Sequence, residues 1–252
     1  ENLSPTEFLG YEQIETESEI ISIIKKDAEA DILSKGDDGI IVLNQTPFYG
    51  ESGGQIGDSG KIIYENNIFE VYDTTKLFGS FFLHHGKVIS GQFTKKESVT
   101  AIIDKNKRDL IKCNHSSTHL LHSSLRAILG NHVSQKGSLV NNEKLRFDFS
   151  HNESISSENI VKIENFVKNQ ITFNSQIDTK IIDHNKAIEE GAMALFGEKY
   201  GDEVRVVSMG TREDDKIFSK ELCGGTHVKK TGDIIDFKII NQSSVASGIR
   251  RI

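Results

Sequence analysis

Short apolar runs separated by polar, glycine-containing segments dominate the first part of the chain. Six runs rich in Ile, Val and Phe lie at residues 18–26, 39–44, 60–65, 67–73, 80–86 and 98–104. β-Branched and aromatic residues in short runs, with Gly, Asn, Asp and Ser between them, are typical of strands. Closely spaced short strands favour a small barrel or sandwich, so we predict a β-barrel-like domain over residues 1–104.

The pattern changes to helical spacing at residue 104. Apolar residues then recur at helical spacing, at Leu110, Leu121, Leu125, Ile128 and Leu129. Asp104 can cap the start of this helix, and Gly130 can end it. A second helix is predicted over residues 156–173, and strands over 145–151, 176–183, 203–209 and 233–240. Long helices beside antiparallel strands predict an α+β domain over residues 105–252, with the boundary near 104–106.

Length, composition and hydropathy exclude several classes of protein. The chain has 252 residues and a mean hydropathy of −0.37, and its apolar runs are too short to span a bilayer. Its amino-terminal residues lack the basic and apolar segments of a signal peptide. Two cysteines cannot build a disulfide framework, so we expect a cytoplasmic protein with reduced thiols and no membrane partner.

Charge is unevenly distributed, although the net charge is −7. Residues 1–39 carry eleven Asp and Glu against three Lys, whereas residues 104–151 carry eight Lys and Arg against four Asp and Glu. An RNA backbone responds to the local field, so an acidic total does not exclude a nucleic-acid partner. Such segments are also common on ordinary solvated faces, and charge alone favours that interpretation.

Residues 46–60 are the most unusual segment, with five glycines from Gly50 to Gly60. Glycine lets the backbone bend and lets a ligand approach closely. The segment is not a phosphate-binding loop, because no GK[ST] sequence and no helical pattern follow. On this observation alone, a plain hairpin loop is the simpler interpretation.

Histidine and cysteine are spaced as metal ligands in two places. His115 and His119 are four residues apart in the predicted helix and share one face, and His122 lies close to it. A zinc peptidase of the HExxH type is excluded, because residue 116 is Ser and the general base is missing. Cys223 and His227, separated by Gly-Gly-Thr, can complete a tetrahedral zinc set with the first pair. Either pair alone is more often an ordinary side-chain pair, and their meeting in space is an inference.

Four separated motifs, in the same order, resemble the editing domain of alanyl-tRNA synthetase. They are TPFYGESGGQIGDSG at 46–60, HSSTHLLHSSLRAILGNHVSQKGSLV with LRFDFSH at 115–151, CGGTHV at 223–228 and SSVASGIRRI at 243–252. The resemblance covers the chain from about residue 9 to residue 252. Free-standing editing proteins of the AlaX type share the His and Cys motifs, but their Gly-rich loop usually differs. The editing domain of threonyl-tRNA synthetase is a more distant relative.

The resemblance implies a deacylase that hydrolyses mischarged Ser-tRNA(Ala) and Gly-tRNA(Ala) with Zn2+. It implies that the ion is held by His115, His119, Cys223 and His227. It implicates Cys223 and Gln135 in catalysis, and Thr46, Gly53, Gly54 and Gln55 in substrate binding, with Thr46 contacting the serine hydroxyl. The basic start of the first helix fits the acceptor stem and 3′ end of tRNA(Ala), through Lys105, Lys107, Arg108 and Lys112. Because no ATP-binding motif is visible, we expect a fragment that does not charge tRNA. We also expect the fragment to be monomeric.

Other functions stay open at this level. Four protein ligands are typical of a closed structural zinc site, so the chain could be a tRNA-binding module whose zinc only supports the fold. A free-standing AlaX-type deacylase is a second alternative. A metalloenzyme acting on a small molecule is a third, and it predicts a deep pocket without a basic rim.

Overall fold

The computed structural model describes residues 4–194, 201–211 and 217–252 and divides into two compact units. Unit 1 comprises Glu1–Ser52 and Ile56–Arg108, and unit 2 comprises Gly53–Gln55 and Asp109–Ile252. The predicted fold class, α+β with a barrel-like first part, is confirmed. The division falls inside the first long helix, a few residues beyond the predicted boundary. A tripeptide of the Gly-rich segment belongs to unit 2.

Strands form most of the regular structure of unit 1. In its described part they are β1 (Glu7–Phe8), β2 (Glu15–Lys25), β3 (Ala28–Ala30), β4 (Ile32–Ser34), β5 (Asp38–Leu43), β6 (Gln45–Thr46), β7 (Gly60–Tyr64), β8 (Asn67–Leu77), β9 (Phe81–Ser90), β10 (Gln92–Thr94) and β11 (Ser98–Ile103). Six of them pair antiparallel in the order β11-β7-β8-β9-β5-β2, and β11 pairs back onto β2. The sheet therefore closes into a barrel. These six strands correspond to the six predicted apolar runs.

Large apolar side chains fill the barrel. The residues with no exposed surface include Ile20, Ile41, Ile62, Phe69 and Phe93, which come from five different strands. Burying a side chain of this size contributes about 1.5–3 kcal/mol relative to leaving it in water. The alternation of buried and exposed positions along these strands therefore gives unit 1 a packed core of its own.

A histidine lies inside this apolar core. His84, in β9, is fully buried, and its Nδ1 lies 2.9 Å from the carbonyl oxygen of Ile41. A carbonyl only accepts, so Nδ1 carries the proton and Nε2 accepts from the Thr46 hydroxyl at 2.7 Å. Burial is the main cause that lowers the pKa of His84 from 6.5 to about 4.

The buried His84 predicts a loss of stability in acid. Its pKa is lowered to about 4 in the folded chain, so the unfolded chain binds the proton first. The contribution is present above about pH 6.5 and is lost as the pH falls toward about 4, by ~3 kcal/mol at most. Urea unfolding of the wild type and of His84→Asn across this range measures it. The variant should show the smaller pH slope, and equal slopes in both proteins would contradict the assignment.

Unit 2 combines two long helices with two antiparallel sheets. Its described elements are α1 (Lys105–Leu129), β12 (Gln135–Val140), β13 (Leu145–Ser150), α2 (Ser157–Phe173), β14 (Asp178–Asp183), α3 (His184–Glu189), β15 (Glu203–Thr211), β16 (Ile217–Leu222), β17 (Ser243–Ala246) and β18 (Ile249–Arg251). One sheet has the order β12-β13-β18-β17 and the other β14-β15-β16. The first turn of α1 belongs to unit 1.

The ends of the long helices follow the sequence signals. Asp104 Oδ1 accepts the N–H of Lys107 at 3.0 Å, and the Ser156 hydroxyl accepts the N–H of Asn159 at 3.2 Å, so each caps its helix. Gly130 follows α1 with a φ of +113°. One helix position differs from expectation, since Leu110 is 52% exposed. None of the helices in the described ranges is long and apolar enough to cross a bilayer.

The strand predicted over residues 233–240 is wrong. Thr231–Ile234 form one turn of 3-10 helix, and the following residues are irregular. Ile235 has a φ of +75°, and the N–H of Ile239 donates to Glu164 Oε1 at 2.8 Å. These backbone groups are satisfied by a turn and a side chain instead of a neighbouring strand.

Candidate metal centre

Helix α1 presents two imidazoles on one face within unit 2. His115 and His119 lie one turn apart with ring centroids separated by 5.3 Å, as expected for positions i and i+4. The segment that follows β16 brings Cys223 and His227 to the same place. The metal-binding atoms of all four side chains lie within 4.8 Å of one another. The four residues predicted as a metal set therefore meet in space.

The distances in this cluster fit a tetrahedral zinc ion. Cys223 Sγ lies 3.4 Å from Nε2 of His115 and 3.4 Å from Nε2 of His227. Zinc bonds of about 2.3 Å to sulfur and 2.0–2.1 Å to nitrogen place such atoms about 3.5 Å apart. Nε2 of His119 is buried and has no hydrogen-bond partner within the described residues. A buried polar atom without a partner is costly, and a metal ion would satisfy it.

Glycine and arginine shape the loop that carries Cys223. A Cβ atom at Gly225 would lie 2.0 Å from Cε1 of His115, so only glycine fits beside the imidazole. The Arg205 guanidinium donates to the carbonyls of Cys223 and Gly225, both at 2.9 Å. The N–H of Gly225 points at Cys223 Sγ from 3.4 Å. Arg205 therefore fixes the backbone of this turn, and the N–H of Gly225 contacts the sulfur.

The Gly-rich segment supplies the partner of His115. Gln55 is fully buried, and its Oε1 accepts the N–H of Thr226 at 2.9 Å. That bond identifies the oxygen of the amide, so Nδ1 of His115, 2.7 Å away, is the donor and Nε2 keeps its lone pair for a metal. The resemblance to alanyl-tRNA synthetase implies a substrate-binding role for Gln55, which stays a prediction. In the structure its Oε1 contacts His115, a member of the candidate metal set.

Two further hydrogen-bond partners of the cluster's histidines were not predicted. The Ser116 hydroxyl lies 3.2 Å from Nδ1 of His227, and the Glu221 carboxylate contacts Nδ1 of His119 at 2.7 Å and Nδ1 of His122 at 2.9 Å. His122 is not a member of the four-residue set. In the sequence, the one sign of the Glu221 contact is that this acidic residue lies in a partly apolar run directly before the CGGTH motif.

Charge in the cluster favours the metal-binding form of cysteine. Burial alone raises the pKa of the Cys223 thiol, but the imidazoles of His115, His119 and His227 together hold it well below its ordinary value of 9.0. Burial lowers the pKa of His119, but the Glu221 carboxylate and the Cys223 sulfur raise it to about 10. Burial, followed by the neighbouring His115, lowers the pKa of His227 to about 3. A thiolate is the form that ligates metals.

Known proteins match this chain over nearly its whole length. Residues 204–252 match the threonyl and alanyl tRNA synthetase second additional domain, and residues 1–107 match the class II (A) tRNA synthetases. The alanine–tRNA ligase of Nitrobacter winogradskyi is 48% identical over 258 residues, which cover 100% of this chain. That of Nitrosomonas eutropha is 49% identical over 248 residues, which cover 98% of it. The resemblance to alanyl-tRNA synthetase is confirmed.

The chain spans less than a third of these alanine–tRNA ligases, 29% and 28% of their lengths. The matched models belong to two parts of the chain, and the additional-domain model covers Cys223 and His227. The candidate metal ligands in this segment and on α1 therefore lie within the sequence that is similar to the alanine–tRNA ligases.

Thr46 and the neighbouring glycines lie in different units. Thr46 belongs to unit 1, is fully buried and donates its hydroxyl proton to His84. Gly53 and Gly54 belong to unit 2. There the carbonyl of Gly54 accepts the N–H of Val140 at 2.7 Å, which seats the tripeptide beside the end of β12. The substrate-binding roles that the alanyl-tRNA synthetase resemblance implies for these residues stay predictions.

Gln135 opens strand β12. It pairs with Phe149 of β13 just before an irregularity in the register, and its side chain is half-buried. A polar side chain at a bulge is often aimed away from the regular face of a sheet. Its catalytic role also stays a prediction.

The four predicted phosphate contacts differ in exposure. Lys105 is exposed, and Lys107 and Lys112 are half-buried. Arg108 is 1% exposed, and its guanidinium forms an ion pair with Asp58 and donates to the carbonyls of Gly10 and Pro47. All of these partners lie in unit 1. A buried guanidinium that is fully engaged inside the fold is not available to a phosphate in this structure, so a basic surface on α1 rests on the lysines.

Proposed function

We propose that this chain is an editing module that hydrolyses the ester of Ser-tRNA(Ala) and Gly-tRNA(Ala) with the help of Zn2+. The observation that carries the proposal is the set of His115, His119, Cys223 and His227, whose donor atoms lie within 4.8 Å of one another. The first three are buried and His227 is half-buried. The match to alanine–tRNA ligases and to the second additional domain supports the choice of substrate class.

An alanine enzyme needs such a site because its synthetic pocket holds only a methyl group. Such a pocket cannot exclude the smaller glycine, and an added hydroxyl is also rejected weakly, so discrimination reaches only about 10–200-fold. A second site must then remove the wrong products and spare alanine. A group that hydrogen-bonds the serine hydroxyl would do so, because alanine leaves that group unpaired.

The residues of the cluster would hold the ion, and neighbouring polar residues would fix the protonation of the ligands or orient the substrate. His115, His119, Cys223 and His227 supply three nitrogens and one sulfur. Gln55 fixes the proton of His115 on the nitrogen remote from the sulfur, as the 2.7 Å contact requires. Zinc bound here would supply a Lewis acid for the ester carbonyl or an acidified water. Gln135 would orient the ester or a water by hydrogen bonds, since an amide cannot serve as a base.

Hydrolysis with and without metal tests the proposal. We expect the zinc-loaded chain to deacylate Ser-tRNA(Ala) and Gly-tRNA(Ala), to spare Ala-tRNA(Ala), and to lose at least ~100-fold in rate when a chelator removes the metal, the scale typical of losing an electrophile. Added Zn2+ should restore the rate. A zinc-loaded, folded chain that binds tRNA(Ala) but hydrolyses neither ester would contradict the proposal.

Measuring tRNA(Ala) affinity over a salt series tests the tRNA partner. The proposal places phosphates of the acceptor stem near Lys105 and Lys112 of α1, and such contacts weaken as salt rises. Neutralising both lysines should flatten the salt dependence of tRNA affinity. Glu143 and Lys144 are an exposed pair of opposite charges in unit 2, the unit that also contains Lys112. Neutralising Lys144 is the control and should leave the slope nearly unchanged.

A second candidate function follows from the number of ligands. Four protein ligands describe a closed zinc site, which is typical of structural zinc. In that case the chain holds tRNA and the ion only supports unit 2. Chelation would then unfold unit 2, as followed by circular dichroism, and Gln135→Ala would leave any hydrolysis unchanged.

A further inference from the structure

A buried carboxylate in unit 2 joins one metal ligand to a histidine outside the ligand set. Glu221, at the end of β16, is 2% exposed. Its Oε2 lies 2.7 Å from Nδ1 of His119, and its Oε1 lies 2.9 Å from Nδ1 of His122. Both histidines come from α1, three residues apart, so one carboxylate contacts two positions on the same side of the helix. An ionised carboxylate only accepts hydrogen bonds, so both Nδ1 atoms carry protons.

This arrangement selects one tautomer of His119. With a proton held on Nδ1 by Glu221, Nε2 is the nitrogen that offers its lone pair when an ion binds. Nε2 is the atom that has no hydrogen-bond partner within the described residues. Carboxylate partners of this kind orient ligand rings and raise their basicity in metal sites generally.

His122 completes the arrangement without acting as a ligand. It is 1% exposed, its ring packs 5.1 Å from that of Phe147, and its Nδ1 is committed to Glu221. Its bond to Oε1 fixes the plane of the carboxylate, so that Oε2 faces His119. A helix histidine three residues beyond a ligand thus supports the ligand through an intermediate carboxylate.

Charge gives the carboxylate a second effect. The four ligands contribute one negative charge, that of the Cys223 thiolate, and a divalent ion would leave a net positive charge in a buried site. A buried charge is expensive unless it is compensated nearby. Glu221 would supply the second negative charge through its contact with His119, without touching the metal.

We propose that Glu221, held by His122, is a positioning residue that sets the tautomer of His119 and neutralises the bound ion. The inference rests on the proposed zinc site and goes beyond it, because neither residue belongs to the ligand set. It predicts that metal affinity depends on a side chain that does not touch the metal.

Glu221→Gln tests the inference with little change of shape. An amide offers one acceptor oxygen and one donor nitrogen, so it cannot accept from both imidazoles. We expect Zn2+ affinity, measured by competition with a chromophoric chelator, to fall by about 10–100-fold. Glu164→Gln is the matched control, because Glu164 is also buried, at 6% exposure, in unit 2 and contacts Lys238 and Ile239 instead of a ligand.

Nitrogen NMR of the zinc-loaded wild type adds a readout that does not require the variant to fold. We expect protonated Nδ1 on both His119 and His122. Zinc binding with the wild-type affinity in Glu221→Gln, or an Nε2-protonated His122 in the wild type, would overturn the inference while leaving the zinc site intact. A wild-type chain that binds no Zn2+ would overturn both the proposed zinc site and the inference. Lowered Zn2+ affinity with unchanged hydrolysis in Glu221→Gln would support the inference but not the proposed role of zinc in hydrolysis.

Discussion

Cys223→Ser should abolish tight zinc binding and, with it, ester hydrolysis. Cys223 supplies the one sulfur of the cluster, 3.4 Å from two imidazole nitrogens, and neighbouring imidazoles hold its pKa well below the ordinary value. A serine hydroxyl keeps the size but stays protonated and binds zinc poorly. Because structural zinc sites are worth about 10–16 kcal/mol, loss of the thiolate should weaken Zn2+ affinity by ~1,000-fold or more. Competition with a chelator measures the affinity, and the deacylation rate is followed in parallel.

The other cysteine provides the matched control. Cys113 lies in α1, two residues before His115, and its Sγ contacts the carbonyl of Asp233 at 3.4 Å without joining the cluster. Cys113→Ser should keep both zinc affinity and hydrolysis. If Cys223→Ser folds, binds zinc as the wild type does and hydrolyses the esters, then the metal centre has been assigned incorrectly.

The sequence predicts the parts of the structure that depend on short-range periodicity. The six barrel strands were predictable because β-branched and aromatic residues form short runs between polar segments. The strands themselves are five to eleven residues long. Helix α1 was predictable because three signals point to the same bounds: the cap at Asp104, the helical spacing of the apolar residues and the terminal Gly130. Strands of three residues such as β3, β4 and β10 are too short to show a period. The apolar run at 233–240 matched a strand locally, but no neighbouring strand pairs with it.

The ligand set was predictable because each half is local. A helix places i and i+4 together, and Gly-Gly bends the CGGTH segment back on itself. Their partners were not predictable, because they are distant in sequence: 60 residues separate Gln55 from His115, and 102 separate His119 from Glu221. Which side chain stands behind a ligand is decided by tertiary packing.

Charge counting also has a physical limit, which Arg108 illustrates. A basic segment read from the sequence does not distinguish a solvated arginine from one inside the core. The next-but-one residue, Leu110, is exposed whereas Arg108 is buried, the reverse of their hydropathy. The reason is Asp58, which lies 50 residues earlier and compensates the guanidinium.

Asp58→Asn should produce the largest loss of stability in unit 1. The Asp58 carboxylate accepts from Nε of Arg108 at 3.0 and 2.9 Å and from the N–H of Tyr49 at 2.7 Å. The two ionic side chains are 1% and 2% exposed. Removing one partner of such a pair leaves a buried charge without compensation, which costs about 3–5 kcal/mol. Native-state hydrogen exchange of the barrel amides, together with urea unfolding, measures the loss.

An exposed ion pair and a double variant separate this effect from general damage to the barrel. Asp38 contacts Lys87 at 3.6 Å with its side chain 66% exposed, so Asp38→Asn should cost less than about 1 kcal/mol. In Asp58→Asn with Arg108→Met the uncompensated charge is gone, and much of the stability should return. A loss below about 1 kcal/mol for Asp58→Asn alone would mean that water or a mobile side chain reaches the guanidinium. Arg108 would then become available to a phosphate, which makes this stability measurement a test of the proposed tRNA contacts of α1 as well.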